Sequence, residues 1–422
     1  DRAIRPLFDH RTRNEVQVVV MALAIDDDDD PDVPAIIAAS LALGVSDIPW
    51  NGPVGAVRIG YLDGSFAVNP TFEEREGAQA DSLVCGKEGK INMIEAGAKE
   101  IPEDVLVRML NDAMKEITKI EEFQKNIIAQ VGKSKAEIEI KEPPSEMAAA
   151  LESQIKQRIE NTLYAPAAQS KKADISEVKN EWIEIAKEKF GAENLYLAEE
   201  VFERLVDKIV HEKIIDAPAG QEKRPDGRKT EQLRPVYAGV GYLPALHGSG
   251  VFYRGETHIL STVTLGGPKD AQLIEGMEVR MTKNFMHHYN FPPFSVGETG
   301  RMGSPGRREI GHGALVERAL SAVIPSKEEF PYTIRIVSES MASNGSTSQG
   351  SICASTLALM DAGVPIKNPV AGISMGLMMK NEKEYKILTD IQGFEDHFGD
   401  MDLKCAGTKE GLTAIQLDIK IA

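Results

Sequence analysis

Ala38-Ala39-Ser40-Leu41-Ala42-Leu43 returns later in the chain as Ala354-Ser355-Thr356-Leu357-Ala358-Leu359. Pro49 and Pro53-Val54 match Pro365 and Pro369-Val370 in the same way, and Gly60 matches Gly376. The separation is constant (354 − 38 = 365 − 49 = 376 − 60 = 316). Asp1-Arg2-Ala3 keeps it against Glu317-Arg318-Ala319, and after a five-residue insertion Asp81 falls opposite Asp402 (402 − 81 = 321). A fixed period over this much sequence means two copies of one domain. The second copy begins near Arg224-Pro225-Asp226-Gly227-Arg228, whereas the first enters at the equivalent of Glu317. About 90 residues of the first copy (317 − 224 = 93) are therefore expected to be missing from its start.

The whole sequence sets outer limits. A length of 422 residues suits two or three domains, and 42% hydrophobic content is ample for their cores. There is no run of 18 apolar residues, so no membrane span is expected. No signal peptide is visible, and a start at Asp1 rather than Met suggests a fragment. Cys85, Cys353 and Cys405 lie far apart beside apolar residues, which fits reduced core positions in a cytoplasmic protein. At a net charge of −17 the surface as a whole repels polyanions, so any polyanion must meet a local basic pocket.

Between the copies the pattern turns helical. Residues 103–133 combine Lys, Glu and spaced aliphatics and predict one long helix. Leu151, Ile155, Ile159 and Leu163 recur every four residues, and Ile175, Val178, Trp182, Ile185 and Val201, Leu205, Ile209 keep the rhythm. Pro143-Pro144 and Pro166 punctuate these helices. This predicts a first domain over 1–139, an all-helical domain over 140–215 and a second copy over 216–422, with Trp182 as a core anchor.

The second copy carries the chemistry. Thr389 to Lys404 reads as two strand-like segments around an acidic loop, with Glu395, Asp396, Asp400 and Asp402 crowded close to Lys404. Crowded carboxylates repel, and a hard divalent cation such as Mg²⁺ is the usual relief. Asp402 and Lys404 are two apart, so on a strand they share a face. Arg307-Arg308 precede a helical pattern, a placement that suits phosphate. Ser343-Asn344-Gly345-Ser346-Thr347-Ser348 precede another helix, and hydroxyls, backbone N–H groups and a helix dipole together make a cradle for inorganic phosphate. His287 and His288 are adjacent, so on a strand they face opposite ways and cannot share a metal.

The repeat sharpens this. Ser343–Ser348 align with Asp27-Asp28-Asp29-Asp30-Pro31-Asp32, an acidic wall; Lys404 aligns with Leu83, and Asp396 with Arg75. Three features of one site are lost together, which predicts one live site and one dead one.

Arg307-Arg308-Glu309-Ile310-Gly311-His312-Gly313, Phe291-Pro292-Pro293-Phe294-Ser295-Val296-Gly297-Glu298-Thr299-Gly300, Ser343-Asn344-Gly345-Ser346 and Asp396-His397-Phe398-Gly399-Asp400-Met401-Asp402-Leu403-Lys404 resemble the bacterial polynucleotide phosphorylases along essentially the whole chain. The resemblance implies an α+β architecture: tandem RNase PH-like (ribosomal-protein-like β-α-β) domains linked by an all-helical domain. It implies processive 3′-to-5′ phosphorolysis of single-stranded RNA to nucleoside diphosphates, reversible as template-independent polymerisation, with a role in mRNA degradation. It implies a cytoplasmic, ring-shaped homotrimer with possible partners in an RNA-degradation complex. By motif match Asp396 and Asp402 would hold Mg²⁺ (or Mn²⁺) beside Lys404. Ser346, Thr347, Ser348 and Arg308 would hold the attacking phosphate, and Arg307 and His312 would contact RNA. For the general acid, Asp402 or a metal-bound water stands ahead of His312 and His397. Thr347 departs from the family's serine but keeps the hydroxyl, and the family's Phe/Arg-rich RNA-guiding loop and C-terminal KH and OB-fold domains are not in this sequence. A hydrolytic nuclease, which would yield monophosphates, leaves the hydroxyl/Arg pocket unexplained. A non-catalytic RNA scaffold leaves the Asp396/Asp402/Lys404 set unexplained. A tRNA-trimming RNase PH-like enzyme does not need the tandem copies and helical insert.

Overall fold

The computed structural model describes residues 1–26, 28–164, 175–218, 220–276 and 280–420. Asp27 of the acidic wall and Pro166 of the helical stretch lie outside the described residues. Packing groups the chain into two compact units. One comprises 1–137, 235–375 and 401–422, the other 138–234 and 376–400.

In chain order the first copy supplies α1 (Asp32–Val45), β1 (Gly55–Leu62), β2 (Ser65–Val68), α2 (Phe72–Gly77), β3 (Ala80–Lys87), β4 (Lys90–Ile101) and α3 (Glu103–Val131). Then come α4 (Ser145–Gln154), α5 (Lys156–Leu163), α6 (Ile175–Phe190) and α7 (Leu195–Ile214). The second copy supplies β5 (Val236–Val240), β6 (Gly248–Arg254), β7 (Thr257–Gly266), β8 (Gln272–Glu275), β9 (Arg280–Lys283), β10 (Phe285–Asn290), α8 (Arg307–Ser321), β11 (Thr333–Ala342), α9 (Thr347–Asp361) and β12 (Ala371–Met379). It ends with β13 (Tyr385–Thr389), α10 (Gly393–Phe398), β14 (Met401–Gly407) and β15 (Leu412–Ile419).

In the first unit, β14, β15, β4, β3, β1 and β2 lie side by side in that order, every pair antiparallel. Strands from both copies thus share one sheet. At the seam between β15 and β4, Gln416 sits opposite Glu95. These two are repeat equivalents (416 − 95 = 321), so the seam is a local twofold axis. Side chains obey it. Arg318 of α8 reaches Glu95 at 2.7 Å, its stem lying against Gly97, where a Cβ would meet it at 2.8 Å. Arg2, 316 positions earlier, reaches Asp418 at 2.5 Å and Glu95 at 2.8 Å. Each copy's Arg-Ala motif clamps the other copy's strand. One face of α3 (Val105, Met109, Ala113, Ile117) is buried against this sheet, as its spacing predicts.

The second copy's other sheet runs β10-β11-β7-β6-β5, with β10 and β11 parallel. Helix α9 packs against β6 so closely that a Cβ on Gly250 would stand 2.3 Å from the Ala354 carbonyl. Only glycine allows that approach. Residues 17–26 are the repeat counterpart of β11, yet they pair with no strand among the described residues and leave Val19, Met21 and Leu23 exposed.

The second unit buries Met147, Leu151, Ile159, Trp182, Phe202 and Ile209 with Leu388 and Ile391. The Trp182 indole N–H donates to the Ala198 carbonyl at 2.8 Å, so this ring is a satisfied core residue. The acidic stretch corrects one expectation. Its middle is not an open loop but helix α10, capped where Glu395 accepts the Gln392 N–H at 3.0 Å. Two carboxylates of the stretch, Asp390 and Glu395, neither of them an expected metal ligand, are paired with arginine. Fully buried Arg224 grips Glu395 through two bonds of 2.6 Å, and Arg234 binds Asp390 at 2.7 and 2.9 Å. Such forked pairs satisfy both partners at once, which is what lets them be buried.

Candidate active site

Strand β11 delivers the chain into the hydroxyl loop. Thr257 fixes that loop from below: its hydroxyl donates to the Gly345 carbonyl (2.8 Å) and accepts the Asn344 N–H (3.0 Å). Gly345 (φ 85°) and Ser346 (φ 58°) are then both left-handed. The first is natural for glycine; the second costs a serine about 1 kcal/mol. That strain turns the chain so that α9 starts at Thr347, with its first-turn N–H groups lacking intrahelical acceptors. The Ser348 hydroxyl is buried and has no hydrogen-bond partner among the described residues. An orphaned hydroxyl in the first turn of a helix is what an anion would satisfy.

Arg307 and Arg308 are the first two residues of α8, inside the helix rather than before it, because Glu309 caps the Gly306 N–H at 3.0 Å. Cations at this end oppose the helix dipole, so helix stability does not account for them. The two diverge. Arg308 is exposed and its guanidinium lies 4.4 Å from the centre of the Phe291 ring. Arg307 lines a cleft with Arg5, His10, Asn14 and Gln17. One turn on, His312 meets the ring of Tyr289 edge-on at 5.1 Å, and the Tyr289 hydroxyl donates to the Thr347 hydroxyl at 2.6 Å. Tyr289 thus links α8 to the hydroxyl loop.

Asp402 and Lys404 stand on β14, opposite Asp418 and Gln416 of β15. Asp402 is buried, with the Lys420 ammonium 3.1 Å from it. Asp418 is held by Arg2 and by the Gln416 amide at 3.0 Å. Gln349 brings β14 to the loop: from the first turn of α9 its amide donates to the Cys405 carbonyl at 2.7 Å and the Ile373 carbonyl at 3.1 Å. The structure therefore connects Ser346, Thr347 and Ser348 with Arg308 and His312 through Tyr289, and with Asp402 and Lys404 through Gln349. Asp396 and His397 belong to the second unit, where exposed His397 lies 3.6 Å from Glu203. His287 is buried against the Ser338 hydroxyl (2.8 Å), and His288 accepts from Arg335. Tyr289, Phe291 and Gln349 escaped the sequence reading. Strand spacing puts residues 289 and 291 on one face, but nothing in sequence points that face at Thr347.

Among the described residues no group of three or more His, Cys, Asp or Glu side chains is arranged to hold a metal ion. Mg²⁺, however, takes one or two carboxylates and completes its shell with water and substrate phosphates. Asp402 offers the right donor chemistry, with Lys420 as its present counter-ion.

The first copy's counterpart is built differently. Asp30 and Asp32, the equivalents of Ser346 and Ser348, fold onto Arg58 and Arg75. Arg58 pairs with Asp30 (3.1 Å), Asp32 and Asp81 (2.7 Å), and Arg75 with Asp30 (2.7 Å) and Asp81 (3.3 Å). Burial pulls the Asp30 carboxyl upward, but the Asp32 N–H and the two guanidiniums outweigh it and hold it low. Burial, with the Asp30 charge beside it, raises Asp32 despite Arg58.

Two family models match the chain: the 3′ exoribonuclease family, domain 1, over residues 232–365, and domain 2 of that family over 52–116. All 422 residues align at 51% identity with the polyribonucleotide nucleotidyltransferase of Geobacillus kaustophilus, covering 58% of that protein. The Anoxybacillus flavithermus protein of the same name is 50% identical, again over the entire chain and 59% of the relative. The solved structure of rice Rrp46 aligns with 46% of this chain and 86% of its own at 22% identity and a TM-score of 0.39, too slight a likeness to bear on the fold. The chain spans about three-fifths of the length of the curated relatives it matches. Among the described residues no helix is long and apolar enough to cross a membrane. Both domain types of the 3′ exoribonuclease family thus find a match in this chain, and half of its residues are identical to these polyribonucleotide nucleotidyltransferases along its full length.

Proposed function

We propose that the second copy (216–422) is the catalytic half of a 3′-to-5′ phosphorolytic exoribonuclease, that the first (1–139) is its inactive partner, and that 140–215 links them. In this reading inorganic phosphate is the nucleophile. One of its oxygens attacks the terminal phosphodiester, the bond to the 3′-oxygen of the preceding nucleotide breaks, and a nucleoside diphosphate leaves. No activated Ser or Cys is needed. The protein must hold phosphate in line and offset charge as it develops. Ser346, Thr347, Ser348 and the first-turn N–H groups of α9 bind the phosphate, and Arg308, steadied on Phe291, neutralises it. Lys404 offsets charge at the scissile phosphate, and Arg307 and His312 contact RNA. Mg²⁺ or Mn²⁺, held by Asp402 with Asp396, would supply a Lewis acid for the same phosphate. The reverse reaction extends RNA without a template. A homotrimer acting on single-stranded RNA in cytoplasmic mRNA degradation, with possible protein partners, completes the proposal.

The observation that carries it is the orphaned Ser348 hydroxyl within the α9 cradle, which calls for an oxyanion and which water activation alone would not use. Unstructured RNA incubated with Mg²⁺ and graded phosphate tests it. Nucleoside diphosphates that form only with phosphate are expected. Monophosphates without phosphate would establish a hydrolase, and no product at all a binding scaffold.

A further inference from the structure

We propose that Tyr289 is a positioning residue for the attacking phosphate: it fixes the direction in which the Thr347 hydroxyl donates. The inference rests on the phosphorolytic reading of the loop.

The Tyr289 hydroxyl donates to the Thr347 hydroxyl oxygen at 2.6 Å. That contact occupies an acceptor position on the threonine oxygen and leaves its own hydrogen to point elsewhere. Within a helix a threonine hydroxyl commonly donates to the carbonyl one turn back. Thr347 makes no such bond, and its hydroxyl hydrogen has no protein acceptor among the described residues. Phosphate seated in the α9 cradle is the acceptor that this arrangement fits. Tyr289 is itself held: it is 2% exposed, with His312 edge-on and Phe291 stacked at 6.4 Å. Burial pushes its phenol up to about 12, so it stays a donor throughout the neutral range. The same ring packs against α8, which carries Arg308. One side chain therefore sets both the direction of a phosphate donor and the seat of the phosphate's cation.

A buried tyrosine satisfied by the nearest hydroxyl would look the same in the structure, so the test separates a role in packing from one in positioning. Tyr289→Phe keeps the ring and removes only the hydroxyl. It is compared with wild type, Thr347→Val and the double variant by steady-state phosphorolysis of RNA with phosphate and RNA varied in turn. We expect Tyr289→Phe to raise the KM for phosphate ~5–10-fold, the loss of about one hydrogen bond, with the KM for RNA unchanged. In the Thr347→Val background the same change should have no further effect, and Thr347→Ser should restore sensitivity to it. An unchanged phosphate KM, or an equal effect with and without the Thr347 hydroxyl, would overturn the inference. Wild-type protein with no phosphate-dependent activity would overturn the phosphorolytic reading itself. Active wild type with an indifferent Tyr289→Phe overturns this inference alone.

Discussion

In the first copy the carboxylates of Asp30 and Asp32 stand where the second copy presents Ser346 and Ser348, and two arginines of the same copy close over them. The second copy's Ser346 and Ser348 carry no charge to be paired, and its acidic segment is held within the protein, Glu395 by Arg224 and Asp400 by His211. Both copies begin the corresponding helix at the same repeat position to within one residue, at Asp32 and Thr347. The frame is therefore indifferent to the chemistry it carries. What separates the copies is where the counter-charge comes from. The first has drawn its cations inward and neutralised itself. In the second, Arg308 lies over the Phe291 ring, and under the proposed function it and Lys404 serve a ligand.

The largest effect expected from breaking this contrast lies in the open copy. Arg308→Ala should lower kcat/KM for phosphate ~10²–10³-fold, the usual cost of one preorganised electrostatic group. Steady-state kinetics with phosphate varied would show it, and an unchanged value would remove Arg308 from the site. Next comes the closed copy. Arg58→Met leaves Asp32 without its arginine, with Asp30 and Asp81 keeping only Arg75, and removing one partner of a buried ion pair costs about 3–5 kcal/mol. The low end is expected because Asp32 keeps 34% of its side chain exposed. Urea unfolding reads the loss, while activity per folded molecule should hold.

The reading of the sequence reached the repeat, and with it the helix and strand frame, because periodicity and turn residues are local. It reached the hydroxyl loop and Arg307-Arg308 for the same reason. It did not reach the closed pocket. Arg58 lies 26 residues from Asp32 and Arg75 lies 45 from Asp30, and no spacing rule links residues so far apart. Arg224 and Glu395, 171 apart, were invisible in the same way, so nothing in the sequence showed which carboxylate of the acidic crowd arginine holds. The seam between β15 and β4 was likewise beyond reach, since alignment shows that two strands are equivalent and not that they pair.

A smaller effect would sharpen the contrast. Asp30→Ser with Asp32→Ser gives the first copy the hydroxyls of the second and leaves Arg58 and Arg75 with Asp81 as their remaining carboxylate. Phosphate should then stabilise the variant more than wild type, by about 1 kcal/mol at a few times its dissociation constant. Thermal unfolding in phosphate against chloride at equal ionic strength measures this. No difference from wild type would mean that those carboxylates are not an anion's substitute.

The smallest effect concerns how the second copy's acidic segment is held. Hydrogen bonds that His211 donates to Asp207, then Asp400, raise it from 6.5 to about 10. The sign follows: a base whose folded pKa is raised stabilises fully below about 6.5 and loses that contribution as pH rises through about 10. His211→Gln should therefore be less stable than wild type at pH 6.5, and the gap should close toward pH 10.5. Urea titrations across that range would show a constant gap if His211 carries no charge.

The central claim is that one copy reacts and the other is closed upon itself. It is tested most directly by resolving the products of RNA and phosphate for wild type, Asp402→Asn and Arg58→Met. The account predicts nucleoside diphosphates from wild type and from folded Arg58→Met, and their loss in Asp402→Asn. Diphosphates persisting in Asp402→Asn, or disappearing in folded Arg58→Met, would contradict it.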